Sequence, residues 1–189
     1  MGMSIEEYKK IVLKENGWQT KNASRQLQGK INRDLGKNFE EQVEAISEIY
    51  KINKLAIIEK TPEPMKILKH IENGHFETVF AKSAQPDFKG TLKRGRTVVF
   101  DAKFTESIKI TYQVLSDYQR EMLLAYDELG AMAFVLVGFV DGSIYNVDIH
   151  TWKNMKEIFG RKYILQSELE EKGFRVKRKK GIVDFLKIC

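Results

Sequence analysis

The sequence is poor in cysteine, histidine and proline, and it lacks a long apolar segment. Its single cysteine, Cys189, excludes an internal disulfide, and the three scattered histidines form no zinc-binding pattern with it. With three prolines and no glycine-rich or low-complexity tract, the chain has no evident interdomain linker. The longest apolar run, AMAFVLVGFV, is too short to span a bilayer, and the N-terminus has no hydrophobic signal core. We therefore expect an intracellular, cytoplasmic protein without a membrane segment.

Positive charge is what the sequence has in excess. Its 189 residues carry a formal net charge of +6, and their 42% hydrophobic content is enough for one domain with a real core. A charge excess of this size is typical of proteins with a polyanionic partner, most often nucleic acid. The alternative at this point is a basic protein that has no such partner.

Apolar periodicity predicts two long helices. The first is NFEEQVEAISEIY, for which Asn38 is a candidate N-cap. Its apolar stripe consists of Phe39, Val43, Ile46 and Tyr50. The second is TYQVLSDYQREMLLAYDELG, which ends at Gly130. Its apolar face is predicted to consist of Leu115, Tyr118, Met122, Tyr126 and Leu129.

Shorter patterns complete the predicted architecture. The capping-box pattern SIEE, which begins at Ser4, predicts a short helix, and residues 15–37 read as a basic arm or loop. KLAIIEK, AMAFVLVGF and GSIYNVDI predict strands, the last two joined by a turn at Asp141-Gly142, while HTWKNMKEIF and QSELEEKG predict short helices. Residues 65–84 predict a β-rich excursion with a turn at Asn73-Gly74. The order of these elements predicts an α/β fold with helices around a mixed central sheet.

The stretch QPDFKGTLKRGRTVVFDAKFT, residues 85–105, predicts a β-hairpin with charged residues inside its strands. A three-residue turn at Lys93-Arg94-Gly95, with its glycine in the left-handed conformation, places Asp87 opposite Asp101. Because side chains alternate along a strand, Asp101 and Lys103 then share a face. A two-residue turn would shift the register by one and move Asp87 to the other face, and a bulge is a further alternative.

Two carboxylates and an ammonium group that converge suit a magnesium site. Neighbouring carboxylates repel each other unless a cation lies between them. Mg²⁺ binds oxygen ligands, retains several waters and pairs with phosphate oxygens, and a nearby lysine can orient or deprotonate the attacking water. A metal site of this kind beside a lysine is suited to the hydrolysis of phosphodiester bonds. A surface salt bridge between aspartate and lysine is the simpler alternative for the Asp-Ala-Lys triplet alone.

One residue of each long helix supports the interpretation as a site. Glu40 lies on the flank of the first apolar stripe, from which it can reach the sheet. Gln119 is four residues after Leu115 and three before Met122, so its amide lies on the apolar face of the second helix. Such an amide needs a hydrogen-bond partner, either at a site on the sheet or in the nearby backbone.

Pro86-Asp87, a spacer of thirteen residues and then Asp101-Ala102-Lys103 form a PD-(D/E)-x-K nuclease motif. Together with LGKNFEEQVEAI, AIIEKTPEPMKI, LSDYQREML and GAMAFVLVGF, in this order, the sequence resembles RecU-type Holliday junction resolvases of the PD-(D/E)-x-K superfamily. The similarity runs from about residue 33 to about residue 140, and more weakly to the C-terminal VDFL.

The resemblance implies a restriction-endonuclease-like α/β core, with a mixed central sheet flanked by helices and a protruding β-rich stalk over about residues 63–84. Residues 1–32 would form an N-terminal helix and basic arm, and residues 33–189 the nuclease domain. The protein would be a homodimeric, Mg²⁺-dependent endodeoxyribonuclease that resolves four-way DNA junctions in recombination and repair. Mn²⁺ would substitute for Mg²⁺, and a recombinase would be a partner.

The resemblance also implies roles for individual residues. Asp87 and Asp101 would hold the metal, and Glu40 would support it through water. Lys103 would act on the attacking water, and Gln119 falls at the family's helix glutamine. Asp101 stands where RecU-type members carry glutamate, Tyr118 stands where histidine is expected, and AQPDF replaces a Ser/Thr-rich approach, as in a divergent or phage-encoded member.

Two alternatives to a junction resolvase stay open. One is a nuclease of the same fold that acts on duplex or flapped DNA, or without specificity. The other is a catalytically inactive junction-binding accessory of recombination, against which the presence of all five site residues argues.

Basic residues cluster in three segments that we predict to contact DNA phosphates. They lie around the hairpin turn, in the N-terminal arm and near the C-terminus: Lys89, Lys93, Arg94 and Arg96; Arg25, Lys30 and Arg33; and Arg175, Lys177, Arg178, Lys179 and Lys180. For the C-terminal run, the alternative is a merely solvated charge cluster.

Overall fold

The computed structural model describes residues 21–62, 65–70, 76–80, 85–179 and 182–187. Three features predicted from the sequence lie outside these ranges: the short helix at Ser4, the turn at Asn73-Gly74 and the basic residue Lys180. The chain divides into two units, with the boundary between Leu35 and Gly36. The five predicted site residues all belong to the second unit.

The first described element is a long helix, α1, which spans Lys21–Ile52. Residues 15–37 were predicted as an arm or loop; residues 21–37 are helical, so the loop alternative is wrong for them, and Asn38 lies inside a helix rather than at its N-cap. Gly29 and Gly36 each weaken a helix by about 1 kcal/mol relative to alanine, but the arginine, glutamine, lysine and leucine residues around them are good helix formers. The predicted apolar stripe is confirmed by the buried Phe39, Val43 and Tyr50 and the partly buried Ile46.

Strands and shorter helices follow α1. The strands are β1 (Ala56–Lys60), β2 (Met65–His70), β3 (Phe76–Phe80), β4 (Phe88–Leu92), β5 (Thr97–Thr105), β6 (Lys109–Thr111), β7 (Met132–Phe139), β8 (Ile144–Asp148), β9 (Tyr163–Leu165), β10 (Arg178–Lys179) and β11 (Ile182–Val183). The helices are α2 (Asp117–Glu128), α3 (Ile149–Lys153), α4 (Met155–Phe159) and α5 (Gln166–Glu171). In the part of the chain that is described, no helix is both long and apolar enough to cross a bilayer.

A five-stranded mixed sheet organises the second unit, in the spatial order β1-β4-β5-β7-β8. β5 and β7 run parallel, joined by a crossover that contains α2, and the other neighbours are antiparallel. This arrangement confirms the predicted mixed sheet with flanking helices. The predicted β-rich excursion is also confirmed where it is described, because β2 and β3 pair in a two-stranded antiparallel sheet of their own.

Each face of the central sheet has its own apolar cluster. The cluster on the face that α1 covers, the α1 face, includes Phe39, Val43, Phe88, Phe100 and Phe185. The cluster on the opposite face, the α2 face, includes Val99, Leu115, Leu123, Val135 and Trp152. A strand buried on both faces carries an almost continuous hydrophobic run. Asp101 interrupts this run in β5 and is itself fully buried, so its carboxylate must have specific partners.

The face that α2 buries differs from the predicted one. Leu115 is buried as expected, but Tyr118 and Leu129 are exposed. Gln119 is buried, as predicted, and so is Leu123, which the predicted face did not include. The predicted stripe of apolar residues is therefore rotated by about one residue, or about 100° around the helix axis, from the buried face, on which Gln119 lies as predicted.

A close contact between α1 and β7 depends on Gly138. A Cβ atom there would lie 2.6 Å from the ring of Phe39, closer than real Cβ contacts come. We expect Gly138→Ala to lower the free energy of unfolding by about 1–3 kcal/mol, because the ring must leave a packed cluster. Denaturant titration measures the change. Gly36→Ala, in α1 with open space around a Cβ atom, is the matched control and should stabilise by up to about 1 kcal/mol. Equal effects of the two variants would contradict this account.

Candidate active site

A three-residue turn joins β4 to β5, as predicted. The N–H of Leu92 donates to the carbonyl of Arg96 at 2.8 Å, and the N–H of Gly95 donates to the carbonyl of Leu92 at 2.9 Å. Gly95 has a φ of 90°, which glycine adopts without strain, and Arg94 also has a positive φ, of 78°. The alternative two-residue turn is therefore excluded.

The register of this hairpin brings the charged residues of the motif together. Phe88 pairs with Phe100, so the preceding Asp87 lies opposite Asp101. The Nζ of Lys103 lies 3.0 Å from Oδ2 of Asp87 and 2.9 Å from Oδ1 of Asp101. We call Asp87, Asp101 and Lys103 the acid–lysine cluster. The predicted convergence of two carboxylates on one ammonium group is confirmed.

Backbone contacts fix Asp87 at the start of β4. Its Oδ2 accepts a second hydrogen bond, from the N–H of Ala102 at 3.0 Å. Its carbonyl oxygen accepts a hydrogen bond from the N–H of Thr61 at 2.8 Å. Its side chain is 21% exposed, whereas that of Asp101 is fully buried. The cluster therefore has one enclosed carboxylate and one that is open to a ligand.

Gln119 connects α2 to the buried carboxylate. Its Nε2 donates to Oδ1 of Asp101 at 2.5 Å, which confirms that the buried amide has its partner at the sheet. Its Oε1 accepts hydrogen bonds from the N–H and the hydroxyl of Ser116, both at 3.1 Å. Ser116 is the N-cap of α2, and its Oγ accepts a hydrogen bond from the Gln119 N–H. The same side chain thus completes a capping box and holds the site. Ser116 was not predicted, although the pattern SDYQ carries the capping-box signal.

Burial and the charges of neighbouring groups together leave the pKa values of both Asp101 and Lys103 above their ordinary values. Burial raises the pKa of Asp101 to about 7; Lys103 opposes this rise, and the carboxylate of Asp87 adds to it. Burial alone would lower the pKa of Lys103, but attraction to Asp101 and Asp87 outweighs it, so this pKa lies above its ordinary value of 10.5. Lys103 is therefore an ammonium ion at neutral pH, while Asp101 titrates near neutrality.

The raised pKa of Asp101 predicts a pH-dependent stability in the presence of EDTA. The carboxyl of Asp101 has a pKa of about 7 in the folded protein and an ordinary value of 3.8 in the unfolded chain, so the folded state holds its proton more tightly. The contribution of this proton to the free energy of unfolding is fully present below pH 3.8 and is lost as the pH rises through about 7. A pKa shift of this size corresponds to a loss of about 4 kcal/mol in the free energy of unfolding. We expect thermal unfolding midpoints to fall more steeply between pH 4.5 and pH 8 for wild type than for Asp101→Asn, which lacks the titrating group. Parallel pH profiles would contradict the assignment.

Glu40 lies in a contact that was not predicted. Its Oε2 is 2.8 Å from the Nζ of Lys60, which also lies 3.3 Å from Glu44. Lys60 pairs with Phe88, so Glu40 approaches the start of β4 from α1. None of the described hydrogen bonds or ion pairs joins Glu40 to the acid–lysine cluster. Its role in supporting a metal stays a prediction.

The donor set of the cluster fits a small divalent cation. Oδ2 of Asp101 is buried and has no hydrogen-bond partner among the described residues, which costs about 1–3 kcal/mol unless a ligand completes it. Both carboxylates supply hard oxygen donors, as Mg²⁺ requires. Among the described residues, no group of three or more His, Cys, Asp or Glu side chains could hold a metal ion. A cation held by Asp87 and Asp101 would thus complete its coordination with water and phosphate oxygens, as Mg²⁺ commonly does.

The basic residues predicted to contact DNA lie in different environments. The guanidinium of Arg96 donates to the carbonyl of Gly130 at 3.1 Å and so ties β5 to the end of α2. Arg175 lies 3.1 Å from Glu170. Arg96 and Arg175 are exposed despite these contacts, as are Lys93, Arg94 and Lys177, and Lys89 is partly buried. Arg25, Lys30 and Arg33 lie in α1, and Arg178 and Lys179 form β10. The hairpin residues therefore offer the exposed charge nearest in sequence to the cluster.

A protein family and several individual proteins resemble this chain. A family model described as RecU, Recombination protein U, matches residues 34–189. Two curated relatives are each named Holliday junction resolvase RecU. The Bacillus pumilus protein is 28% identical over 147 residues, which cover 73% of this chain and 71% of that protein. The Bacillus subtilis protein is 28% identical over 155 residues, with 75% and 72% covered. A solved structure of Archaeoglobus fulgidus Hjc, a Holliday junction resolvase, aligns at a TM-score of 0.46 and 14% identity, covering 72% of this chain and 93% of that chain.

Proposed function

Because the chain belongs to the RecU family (Recombination protein U), we propose that it is an endonuclease that resolves four-way (Holliday) DNA junctions by hydrolysing phosphodiester bonds. The observation that carries this proposal is the acid–lysine cluster, in which the Nζ of Lys103 lies within 3.0 Å of a carboxylate oxygen of Asp87 and of Asp101, on a hairpin of the predicted register. The names of the relatives support a junction as the substrate, and the net charge of +6 supports binding to DNA.

We propose that Asp87 and Asp101 hold a divalent cation, Mg²⁺ with Mn²⁺ as a substitute, and that Glu40 supports it through water. Such a cation, when bound, lowers the pKa of a water molecule and polarises the phosphodiester. The buried Oδ2 of Asp101, which lacks a hydrogen-bond partner among the described residues, supports this assignment. Because the pKa of Asp101 is about 7, protons compete for its carboxylate below neutral pH.

Lys103 and Gln119 have separate tasks in this proposal. Attraction to Asp101 and Asp87 holds the pKa of Lys103 above its ordinary value, and as an ammonium ion Lys103 would orient the attacking water and stabilise charge on the phosphate. Gln119 keeps the Asp101 carboxylate in one orientation through its 2.5 Å hydrogen bond. Both side chains are therefore part of the proposed catalytic set.

We propose that Lys89, Lys93 and Arg94 lead the contacts with DNA phosphates, followed by the basic residues of α1 and of the C-terminal segment. The turn lies about 20 Å from Asp87 along β4, at about 3.3 Å for each residue. Successive phosphates along one strand rise by about 3.4 Å, so a DNA arm that follows the hairpin would meet the turn about six nucleotides from the cleaved bond. Such contacts position DNA and carry little sequence information.

The two-fold symmetry of resolution favours a homodimer. Resolving a junction requires two cuts in strands of like polarity, and two sites related by a two-fold axis provide them. A homodimer with one acid–lysine cluster in each subunit is therefore part of the proposal, and a recombinase is its proposed partner in the cell. The family resemblance supports both.

Cleavage of a synthetic four-way junction tests the function. Wild-type protein is incubated with the junction, with a linear duplex of the same sequence and with a flapped duplex, each in Mg²⁺, Mn²⁺ and EDTA. We expect paired nicks in the junction that require a divalent cation. Equal cutting of duplex or flap would leave a nuclease without junction selectivity. Tight junction binding with no cutting in either metal would favour an inactive accessory protein.

A further inference from the structure

Thr61 lies directly after β1 and beside Asp87. The ladder between β1 and β4 pairs Lys60 with Phe88, and the N–H of Thr61 extends it by donating to the carbonyl of Asp87 at 2.8 Å. Residues that face each other in an antiparallel pair place their side chains on the same face, with Cβ atoms about 4.5–5.5 Å apart. The side chains of Thr61 and Asp87 are thus expected on the same face of this strand pair.

The hydroxyl of Thr61 has an unmet hydrogen-bonding capacity. Its Oγ1 is buried, and no described residue bonds to it. The two described donors to the Asp87 carboxylate, from Ala102 and Lys103, both reach Oδ2, while no described residue donates to Oδ1. One face of the strand pair therefore carries a buried donor without an acceptor and a carboxylate oxygen without a donor among the described residues, and the two are not hydrogen-bonded to each other.

The carboxylate of Asp87 needs a further hydrogen-bond donor when Lys103 acts on the substrate. In the structure, Lys103 supplies one of the two hydrogen bonds that hold Asp87, at 3.0 Å. If the ammonium group turns to a phosphate or to the attacking water, the carboxylate of Asp87 keeps only the hydrogen bond from the N–H of Ala102. A carboxylate that must hold a cation in a fixed orientation then needs a replacement donor.

We propose that Thr61 is a positioning residue for Asp87. Its hydroxyl donates a hydrogen bond to Oδ1 of Asp87, directly or through one water molecule, once Lys103 has turned to the substrate. This inference rests on the proposed function, because it assumes that Asp87 holds a cation while DNA is bound. Thr61 itself touches neither the substrate nor the cation, and it acts by limiting the orientations of the carboxylate.

Two substitutions at Thr61 test the role. Thr61→Val keeps the shape and removes the hydroxyl, whereas Thr61→Ser keeps the hydroxyl. Thr91→Val, on an exposed position of β4, is the matched control. Binding of Mn²⁺ is measured by calorimetry with an uncut junction analogue present, thermal unfolding is measured in EDTA, and cleavage kinetics give kcat and KM.

We expect Thr61→Val to bind Mn²⁺ about 10-fold more weakly and to lose kcat by a similar factor, with KM for the junction unchanged. Its unfolding midpoint in EDTA should be unchanged or higher, because the valine removes a buried hydroxyl that lacks a partner. Thr61→Ser and Thr91→Val should stay within about twofold of wild type. If Thr61→Val does not fold, Thr61→Ala gives the same comparison.

The results that would overturn the inference are distinct from those that would overturn the function. Unchanged Mn²⁺ affinity and kcat in Thr61→Val would refute the positioning role alone. A lower unfolding midpoint in EDTA with unchanged Mn²⁺ affinity would instead identify a purely structural hydroxyl. Wild-type protein that binds no Mn²⁺ would overturn the proposed cation site and this inference with it.

Discussion

Asparagine in place of Asp101 is expected to reduce junction cleavage by about a thousandfold or more, while junction binding stays within about threefold of wild type. Asp101 is fully buried, and its Oδ1 contacts both Lys103 and Gln119. Asparagine keeps the volume and one acceptor oxygen, so the fold and the DNA surface should persist. It removes the negative charge that a divalent cation needs. Cleavage rates at saturating enzyme, together with junction affinity in EDTA, measure the two effects separately.

The matched control for this variant is Asp184→Asn. Asp184 is another buried aspartate, whose Oδ1 accepts a hydrogen bond from Tyr50 of α1. Its replacement should lower stability and leave the cleavage rate within about threefold at a temperature where the protein is folded. Cleavage by Asp101→Asn at more than about a tenth of the wild-type rate would show that this carboxylate does not hold the catalytic cation.

Methionine in place of Lys103 is expected to remove cleavage and to destabilise the protein in EDTA. Two carboxylates lose the ammonium group that they share, and breaking a buried pair by removing one partner costs about 3–5 kcal/mol. The cost should be largest near pH 8, because at pH 6 the carboxyl of Asp101 takes up a proton and the repulsion falls. Mg²⁺ should stabilise this variant more than wild type, since the cation replaces the lost positive charge.

Unfolding midpoints at pH 6 and pH 8, with and without Mg²⁺, test this prediction. Lys89→Met is the matched control, because Lys89 lies on the neighbouring strand and its Nζ contacts the exposed Gln85 rather than a carboxylate. That variant should lose little stability and should respond to Mg²⁺ as wild type does. An equal response of both variants to Mg²⁺ would place the cation elsewhere.

The parts of this protein that could be predicted from the sequence are those whose geometry is set locally. The turn of the hairpin is one example: Gly95 supplies a positive φ, and the pleat then fixes which residues face each other. A three-residue turn at this glycine could therefore be predicted to place Asp87 opposite Asp101, while the alternative of a two-residue turn stayed open until the structure excluded it. The apolar stripe of α1 was equally predictable, because helical periodicity requires only neighbouring turns.

Contacts between distant segments account for most of what could not be predicted. Periodicity placed Gln119 on the buried face of α2, but it could not show that the hydrogen bond to Asp101 turns this face away from Tyr118 and Leu129. The ion pair between Glu40 and Lys60 joins a helix to a strand across a chain reversal, for which no periodic pattern exists. A functional site is where local rules are expected to fail, because residues there serve chemistry as well as packing.

The three-residue turn between β4 and β5 also has a consequence for the order of folding events. Hairpins form in about 1–10 μs, whereas the parallel pairing of β5 with β7 must wait for the longer crossover through α2. We therefore expect Asp87 and Asp101 to come together in a nascent hairpin, before Gln119 forms its hydrogen bond to Asp101. A divalent cation should then stabilise the folding transition state and accelerate refolding, rather than only slowing unfolding.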